Sequence, residues 1–423
     1  MKQQHPYTIT LLGSMGGVAK SILSILNYSV IDEKDPIHST IKNSKLYLID
    51  VKQGNLDYYE QLCPNLTNNI SLLQLNVNDV NKLMDHLRST NTQLMIDVSN
   101  ANTIAMLQCC NELGIRYINT ALENNEVYTD KTLHGFSLTT EYQQLKEFRD
   151  TITNTKAILF SGMNPGIVQW MAINLLNNHS DKQPLACYIV EHDTSFYKDQ
   201  QLIQPNTIYT TWSVKGFLDE TILAYPLFVR NHLPHYIYDD VYATEYKVTL
   251  GDKEFCGYLV PHEEVLTLGE IYDFEVGFIY RINEYTTQII QNNSENANEL
   301  LKWNQKIIDP ADGEVVGEDL IGVLLVFDDK EVYMYNSMNN SEIFEKYKTN
   351  GTYFQVGCGV YAGLASLLLD NLPLGAHYVD ELVANSQSNY GKYLSYYMKD
   401  FVYGENQSSD GLLHNRMKKL VYC

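Results

Sequence analysis

Through the first 160 residues, short apolar runs alternate with segments whose apolar positions recur every three or four residues. The runs 7–12, 45–51, 71–75, 94–99, 116–119 and 156–160 have strand length, and 16–27, 79–88, 104–113 and 141–151 carry the period of a helix buried on one side. Strand and helix in alternation predict a parallel, doubly wound sheet, because parallel neighbours need a long crossover and the helix supplies it. From about Leu185 the pattern becomes β-rich, with hairpins at 246–260 around Gly251-Asp252 and at 322–335 through Asp328-Asp329-Lys330. Residues 291–317, rich in Asn, Glu and Asp, are expected to form a solvated excursion. The apolar helical run 354–372 is expected to pack closely through Gly357, Gly359 and Gly363.

The first strand ends in Gly13-Ser14-Met15-Gly16-Gly17 before a helix bearing Val18, Ile22 and Ile25. Glycine lets backbone approach a pyrophosphate, and the helix N-terminus adds amide donors and positive dipole, so this is a candidate dinucleotide-binding turn, the alternative being a tight strand-to-helix turn with no ligand. Leu11 stands where the first Gly of G-x-G-x-x-G belongs, leaving Gly13 and Gly16 to fill the other two roles. Asp50 ends the second strand, where a carboxylate accepts ribose hydroxyls and repels a 2′-phosphate; this favours NAD, with Lys52 keeping NADP from full exclusion. The long spacing to Asp50 is explained by an insertion over 31–43. The fold class expected is an α/β Rossmann-type doubly wound parallel sheet plus a second α+β domain with a largely antiparallel sheet. The boundaries expected are 1–160 for the NAD-binding domain, 161–350 for a substrate-binding and dimerisation domain, and 351–423 for a C-terminal helical segment packing back on both.

Ligands of open α/β sheets lie over the carboxyl ends of the strands. Asp97, Ser99 and Asn100–Asn102 close the fourth strand, Asn119, Thr120 and Glu123 the fifth, and Asn164-Pro165-Gly166 the sixth. Gly13, Ser14, Met15, Gly16, Asp50, Ser99, Asn119, Thr120 and Pro165 are therefore the candidate cofactor-binding residues, although Asn, Gly and Pro also serve purely structural turns.

Charge narrows the partners. With 51 acidic against 30 basic residues, the net charge of −21 opposes nucleic-acid binding and favours small cations. The polar start at 1–6 leaves no room for a signal core, and the seven cysteines, with Cys109-Cys110 adjacent, lack disulfide or zinc spacing. The expectation is a cytoplasmic protein without a structural metal, bound to neither membrane nor nucleic acid. Further along stand Glu191-His192-Asp193-Thr194, Thr211-Trp212-Ser213, Asp219-Glu220 and Pro261-His262-Glu263-Glu264. An aromatic face with carboxylates beside it holds an alkylammonium group by cation–π attraction and ion pairing. Trp212 could equally be core, and His262 a satisfied turn histidine. Only Arg230 and Arg281 lie between Phe160 and Asp400, too few for a pocket that grips carboxylates.

Gly13-Ser14-Met15-Gly16, Met163-Asn164-Pro165-Gly166-Ile167-Val168, Glu191-His192-Asp193-Thr194, Thr211-Trp212-Ser213-Val214-Lys215-Gly216-Phe217 and Val260-Pro261-His262 resemble the bacterial homospermidine synthase family, in the same order. The likeness continues through Gly322-Val323-Leu324-Leu325 and Tyr333-Met334-Tyr335-Asn336-Ser337. It implies a saccharopine-dehydrogenase-like architecture, a homodimer, and an NAD recycled within each turnover. Putrescine would be oxidised to an imine, a second amine would displace ammonia, and the new imine would be reduced; spermidine could donate the aminobutyl group instead, releasing diaminopropane. The resemblance assigns catalytic or substrate roles to Asn164, Glu191, Trp212, Glu220, His262 and Glu123. Two positions depart from it: Lys215 stands where the family has glutamate, and Asn100-Ala101-Asn102-Thr103 replaces Val-Asp-Thr-Ser, leaving Asn100 or Asp97 to replace a site carboxylate. The alternatives are an NADPH-dependent reductive condensation of the saccharopine or carboxynorspermidine dehydrogenase type, and a noncatalytic NAD-binding scaffold.

Overall fold

The computed structural model describes residues 6–418; residues 1–5 of the polar start and 419–423 lie outside the described residues. The chain divides into two units that interleave in sequence: 1–129, 139–167 and 353–398 form the first, and 130–138, 168–352 and 399–423 the second.

The first unit is built on a seven-stranded parallel sheet. Its strands are β1 (Tyr7–Leu12), β2 (Ser44–Asp50), β3 (Ile70–Gln74), β4 (Leu94–Asp97), β5 (Arg116–Asn119) and β6 (Lys156–Leu159), joined at one edge by Gly375–Tyr378. The order is Gly375–Tyr378, β6, β5, β4, β1, β2, β3. The direction of winding thus reverses between β1 and β4, which opens a crevice over their carboxyl ends. Helix Gly351–Leu369 is long and apolar enough to cross a membrane, yet 78% of it is buried in the protein. Its glycines explain how closely it packs: a Cβ on Gly357, Gly359 or Gly363 would lie 2.3 Å from Ser21 Oγ, 2.0 Å from the Gly162 carbonyl oxygen or 2.5 Å from Ser161 Oγ.

The second unit centres on a mixed sheet whose middle strand, β7 (Ala186–Asp193), lies between Glu275–Arg281, its parallel neighbour, and Glu318–Val326, its antiparallel one. The other pairings of this sheet are antiparallel, including the hairpins Glu245–Leu250 with Lys253–Val260 and Glu318–Val326 with Glu331–Asn339. Alternation gives each strand two chemistries. One face packs Tyr188, Val190, Leu259, Ile279, Leu320 and Leu324 into an apolar core, and the opposite face carries Glu191, Asp193, Tyr280 and Asp319.

Two expectations are corrected. The stretch 291–317 is not a purely solvated excursion: Asn304–Ile307 pairs with Thr207–Thr210, and Ile308 and Val315 join Tyr197 and Tyr209 in a small core. Those few apolar residues suffice because the neighbouring tyrosines provide the partner surface. The segment from 351 on is not wholly helical either. It supplies Gly375–Tyr378 to the first sheet, and Val402–Asn406 and Met417–Lys418 to the edges of the second, where short strands need little apolar periodicity of their own.

Candidate active site

At the reversal point of the first unit, Gly13 adopts φ +75°, and a Cβ there would sit 2.6 Å from the Val98 carbonyl oxygen. Only glycine fits against the end of β4 in that conformation. The Gly13 and Ser14 amides donate to Ile49 O at 2.9 and 3.1 Å, and helix α1 (Gly17–Ser29) starts directly beyond. Its first-turn amides have no intrahelical acceptor, which suits an anion. The Asp50 carboxylate accepts the Met15 amide through Oδ2 and the Lys52 amide through Oδ1, both at 3.0 Å, so it is fixed beside the turn. This cradle fits a dinucleotide. Tyr59 donates from its hydroxyl to the Ser14 carbonyl oxygen at 3.2 Å and ties the turn from below.

The remaining first-unit candidates divide by how their side chains are engaged. Ser99 donates to Asp97 Oδ1 at 2.7 Å, and Tyr117 to Asp97 Oδ2 at 3.0 Å. Buried Asp97 thus braces the turn after β4, while Asn100 is exposed. Burial raises the Asp97 pKa against those hydrogen bonds. Asn119 accepts the Phe160 amide and donates to Ala121 O, joining β5 to the end of β6. Thr120 and Glu123 are half-buried in the loop after β5. Asn164 is half-buried, joined by a cis peptide to buried Pro165, in a loop closed by Gly162 N–H donating to Pro165 O at 2.8 Å.

In the second unit, four candidates meet along one row of rings. Glu191, 3% exposed, stands opposite Tyr280 on the adjacent strand. Trp212 Nε1 donates to the Tyr280 hydroxyl at 3.4 Å. Phe217 stands edge-on to both Trp212 and Tyr280, Tyr280 stacks on Phe278 at 5.7 Å, and Phe278 meets the His262 ring at 5.0 Å. Burial first, then the charges of Glu191 and Asp193, push the Tyr280 phenol well above its ordinary range, so it remains a neutral donor. Local sequence sets the geometry: Ser213 caps helix Val214–Thr221, which brings Trp212 just before its start and Glu220 into its last turn. Gly216 leaves room for the indole, since a Cβ there would lie 2.9 Å from it.

The far end of the row is acidic. His262 Nδ1 is hydrogen-bonded to Glu264 Oε2 and lies 3.4 Å from Glu263, and its Nε2 lies 4.0 Å from Glu220 Oε1. Burial lowers the imidazole pKa, but Glu264, Glu263 and Glu220 outweigh it and hold the ring well above the usual histidine range, as a cation. Glu220 is pushed up to about 8, chiefly by burial; His262 opposes the rise, and Glu263, Glu264 and Asp219 add to it. Near neutral pH this carboxyl is a poised acid that can release or take a proton. One ligand atom each from His262, Glu263 and Glu264 lie within 4.8 Å of one another, a donor set of the kind a divalent cation uses, although Nδ1 already serves Glu264.

Both arginines of the central region are engaged elsewhere: Arg230 pairs with Glu275, and Arg281 with Glu284 and Glu245. Lys215 reaches Asp219 at 3.7 Å. Reading the sequence alone missed Phe217, Phe278 and Tyr280 as parts of the row. Phe217 sits at a buried apolar position of a helix and Phe278 and Tyr280 lie in a strand, where aromatic residues look like core, and only the register of Glu275–Arg281 against β7 aligns Tyr280 with Glu191.

No family model matches the chain, and no curated protein matches its sequence. Among solved structures, apo saccharopine dehydrogenase (L-Glu forming) from Saccharomyces cerevisiae is similar over 94% of this chain and 100% of its own, with a TM-score of 0.58 at 10% identity. The fold is saccharopine-dehydrogenase-like. A myo-inositol dehydrogenase from Corynebacterium glutamicum covers 92% of this chain with a TM-score of 0.37 and 8% identity. A UDP-glucose 4-epimerase from Bifidobacterium longum covers 36% of this chain and 52% of its own, with a TM-score of 0.25 and 13% identity. These two are too distant to bear on the chemistry. Within the saccharopine-dehydrogenase-like frame, 10% identity carries the fold and leaves the chemistry to this chain's own residues.

Proposed function

We propose that the protein is an NAD-dependent homospermidine synthase, transferring an aminobutyl group from putrescine or spermidine to putrescine with no net redox change. The observation that carries this reading is the aromatic row from Trp212 to His262 with Glu191 at one end and Glu220, Glu263 and Glu264 at the other. A protonated diamine needs such a lining, with π faces for its ammonium groups and carboxylates to neutralise them. The cofactor, when bound, supplies a hydride acceptor that returns the hydride at the end of the cycle. The chain's own residues do the rest. Glu220, poised near neutrality, takes the proton that must leave an ammonium before hydride loss. Glu191 and Trp212 stabilise the cationic imine, and the family resemblance adds Asn164 and Glu123 as polar groups for the substrate.

Asp50 supports NAD over NADP, because its fixed carboxylate opposes a 2′-phosphate. The reductive-condensation alternative requires a grip on an amino-acid carboxylate, and the engagement of Arg230 and Arg281 elsewhere argues against it. We also propose a soluble cytoplasmic homodimer acting on small cationic polyamines. The deciding experiment incubates the protein with putrescine and substoichiometric NAD. Ammonia and a triamine should far exceed the cofactor added; steady accumulation of NADH, or consumption of NADPH in step with product, would reject the reading.

A further inference from the structure

Beside the aromatic row, two acids lie directly opposite each other on adjacent strands: Asp193 at the end of β7 and Asp319 near the start of Glu318–Val326. Both are fully buried. Thr211 Oγ1 lies 2.6 Å from Asp193 Oδ2, Thr352 Oγ1 lies 2.5 Å from Asp319 Oδ2, and the two hydroxyl oxygens are 2.9 Å apart. This is a continuous chain of three oxygen–oxygen contacts. Each needs one hydrogen, and the two threonines supply only two. The third must come from a carboxyl group. The Ser195 amide donates to Asp193 Oδ1 at 2.9 Å and favours the charge there, which leaves Asp319 as the protonated partner.

We infer that a single proton is held on Asp319 and relayed through Thr352 and Thr211 to an ionised Asp193, and that this chain positions Trp212. Asp319 donates to Thr352, Thr352 to Thr211 and Thr211 to Asp193, all in one direction. Two buried carboxylates side by side would repel each other; one shared proton converts them into a clamp. Burial raises both acids, and the negative charges of Asp193 and Glu318 drive Asp319 further, well above the carboxylate range. The clamp ends at the residue before Trp212. Thr211 O also accepts from Asn350 Nδ2 at 2.7 Å, and Thr210 Oγ1 donates to Trp212 O at 2.6 Å, so side chain and backbone are pinned together. Asp319 and Thr352 are thus positioning residues that touch no substrate. Their importance for turnover rests on the diamine reading above; the proton count does not.

Infrared spectroscopy of the full-length protein tests the proton directly. Glu220→Gln serves as the background, because it removes the other carboxyl held neutral near pH 7. That protein should show the carbonyl stretch of a protonated carboxyl at neutral pH, shifted in D2O, and adding Asp319→Asn should abolish it. The amide introduced by that substitution can still donate to Thr352, so the variant's melting temperature should stay close to the parent's. Asp193→Asn offers one acceptor oxygen to two donors, Thr211 and the Ser195 amide, and should melt several degrees lower. No band in the Glu220→Gln background, a band surviving Asp319→Asn in that background, or equal destabilisation by Asp319→Asn and Asp193→Asn overturns the relay. For the positioning role, Thr352→Val is examined in a protein with Trp170 and Trp303 replaced by Phe, so that emission reports Trp212 alone. A red shift and a several-fold rise in KM for putrescine are expected. Unchanged emission overturns positioning, and a parent that does not turn over putrescine overturns the diamine reading while leaving the infrared result standing.

Discussion

Glu220 should make the affinity for a dication depend on pH in a calculable way. Its carboxyl, pushed up to about 8 mainly by burial, is largely neutral at pH 7 and becomes a carboxylate as the pH rises. With that midpoint, roughly one-tenth is ionised at pH 7 and roughly nine-tenths at pH 9. If the ionised form is the one that seats an ammonium group, affinity should rise about tenfold across that interval. Diamines themselves lose protons in the same range, so the assay needs a permanently charged ligand. A four-carbon bis-quaternary ammonium compound, used as a competitive inhibitor or titrated calorimetrically, meets that requirement. Glu220→Gln should flatten the profile at the weaker, low-pH affinity. The reasoning fails if the parent profile is flat, or if Glu220→Gln keeps the parent's slope. Stability provides a second readout of opposite sign. The native state holds the Glu220 proton more tightly than the unfolded chain does. The parent should therefore lose stability as the pH climbs from the ordinary carboxylate range to about 8, and Glu220→Gln should not share that loss.

Trp212→Ala should raise KM for putrescine by about thirtyfold if a desolvated cation–π contact of about 2 kcal/mol is lost, and Trp212→Phe by less; steady-state kinetics distinguish them. Asp50→Ala removes the fixed carboxylate beside the glycine turn and should weaken NAD while improving NADP, so that the ratio of dissociation constants by fluorescence titration moves toward NADP. Gly359→Ala places a methyl carbon 2.0 Å from the Gly162 carbonyl and should cost about 1–3 kcal/mol or more; a melting temperature equal to the parent's would show that the helix can yield there.

The first six strands were legible because each reads as a short apolar run bounded by helical periodicity; β1 and β4 to β6 are largely buried on both faces of the parallel sheet, and even the edge strand β3 keeps its apolar run. The strand Gly375–Tyr378 was not: its four residues gain their place from pairing with β6, and pairing leaves no local trace. The candidate site divides in the same way. Glu191, Trp212, Glu220 and His262 stand out in the sequence as polar or bulky residues at the ends of elements, where sites are built. Tyr280 and Phe278 are hidden in an apolar strand, and Asp319 follows Glu318 in what looks like the end of a charged loop. Only the cross-strand alignment of Asp319 with Asp193 gives that acid its meaning. Asn119 illustrates the reverse case. It ends a strand where cofactor contacts gather, yet both ends of its amide are bonded to nearby backbone.

The polypeptide passes back and forth between its two units, and the helix and edge strand that complete the first sheet come from residues 353–398. During synthesis the glycine turn therefore emerges long before the elements that finish its own unit. The amino-terminal portion must wait on the ribosome, with apolar surface exposed, until nearly the whole chain has been made. A truncation after residue 350 should yield an aggregation-prone fragment rather than an isolated nucleotide-binding domain. Insertions in this molecule are best sought at exposed surface loops, since no single cut in the sequence releases either half intact.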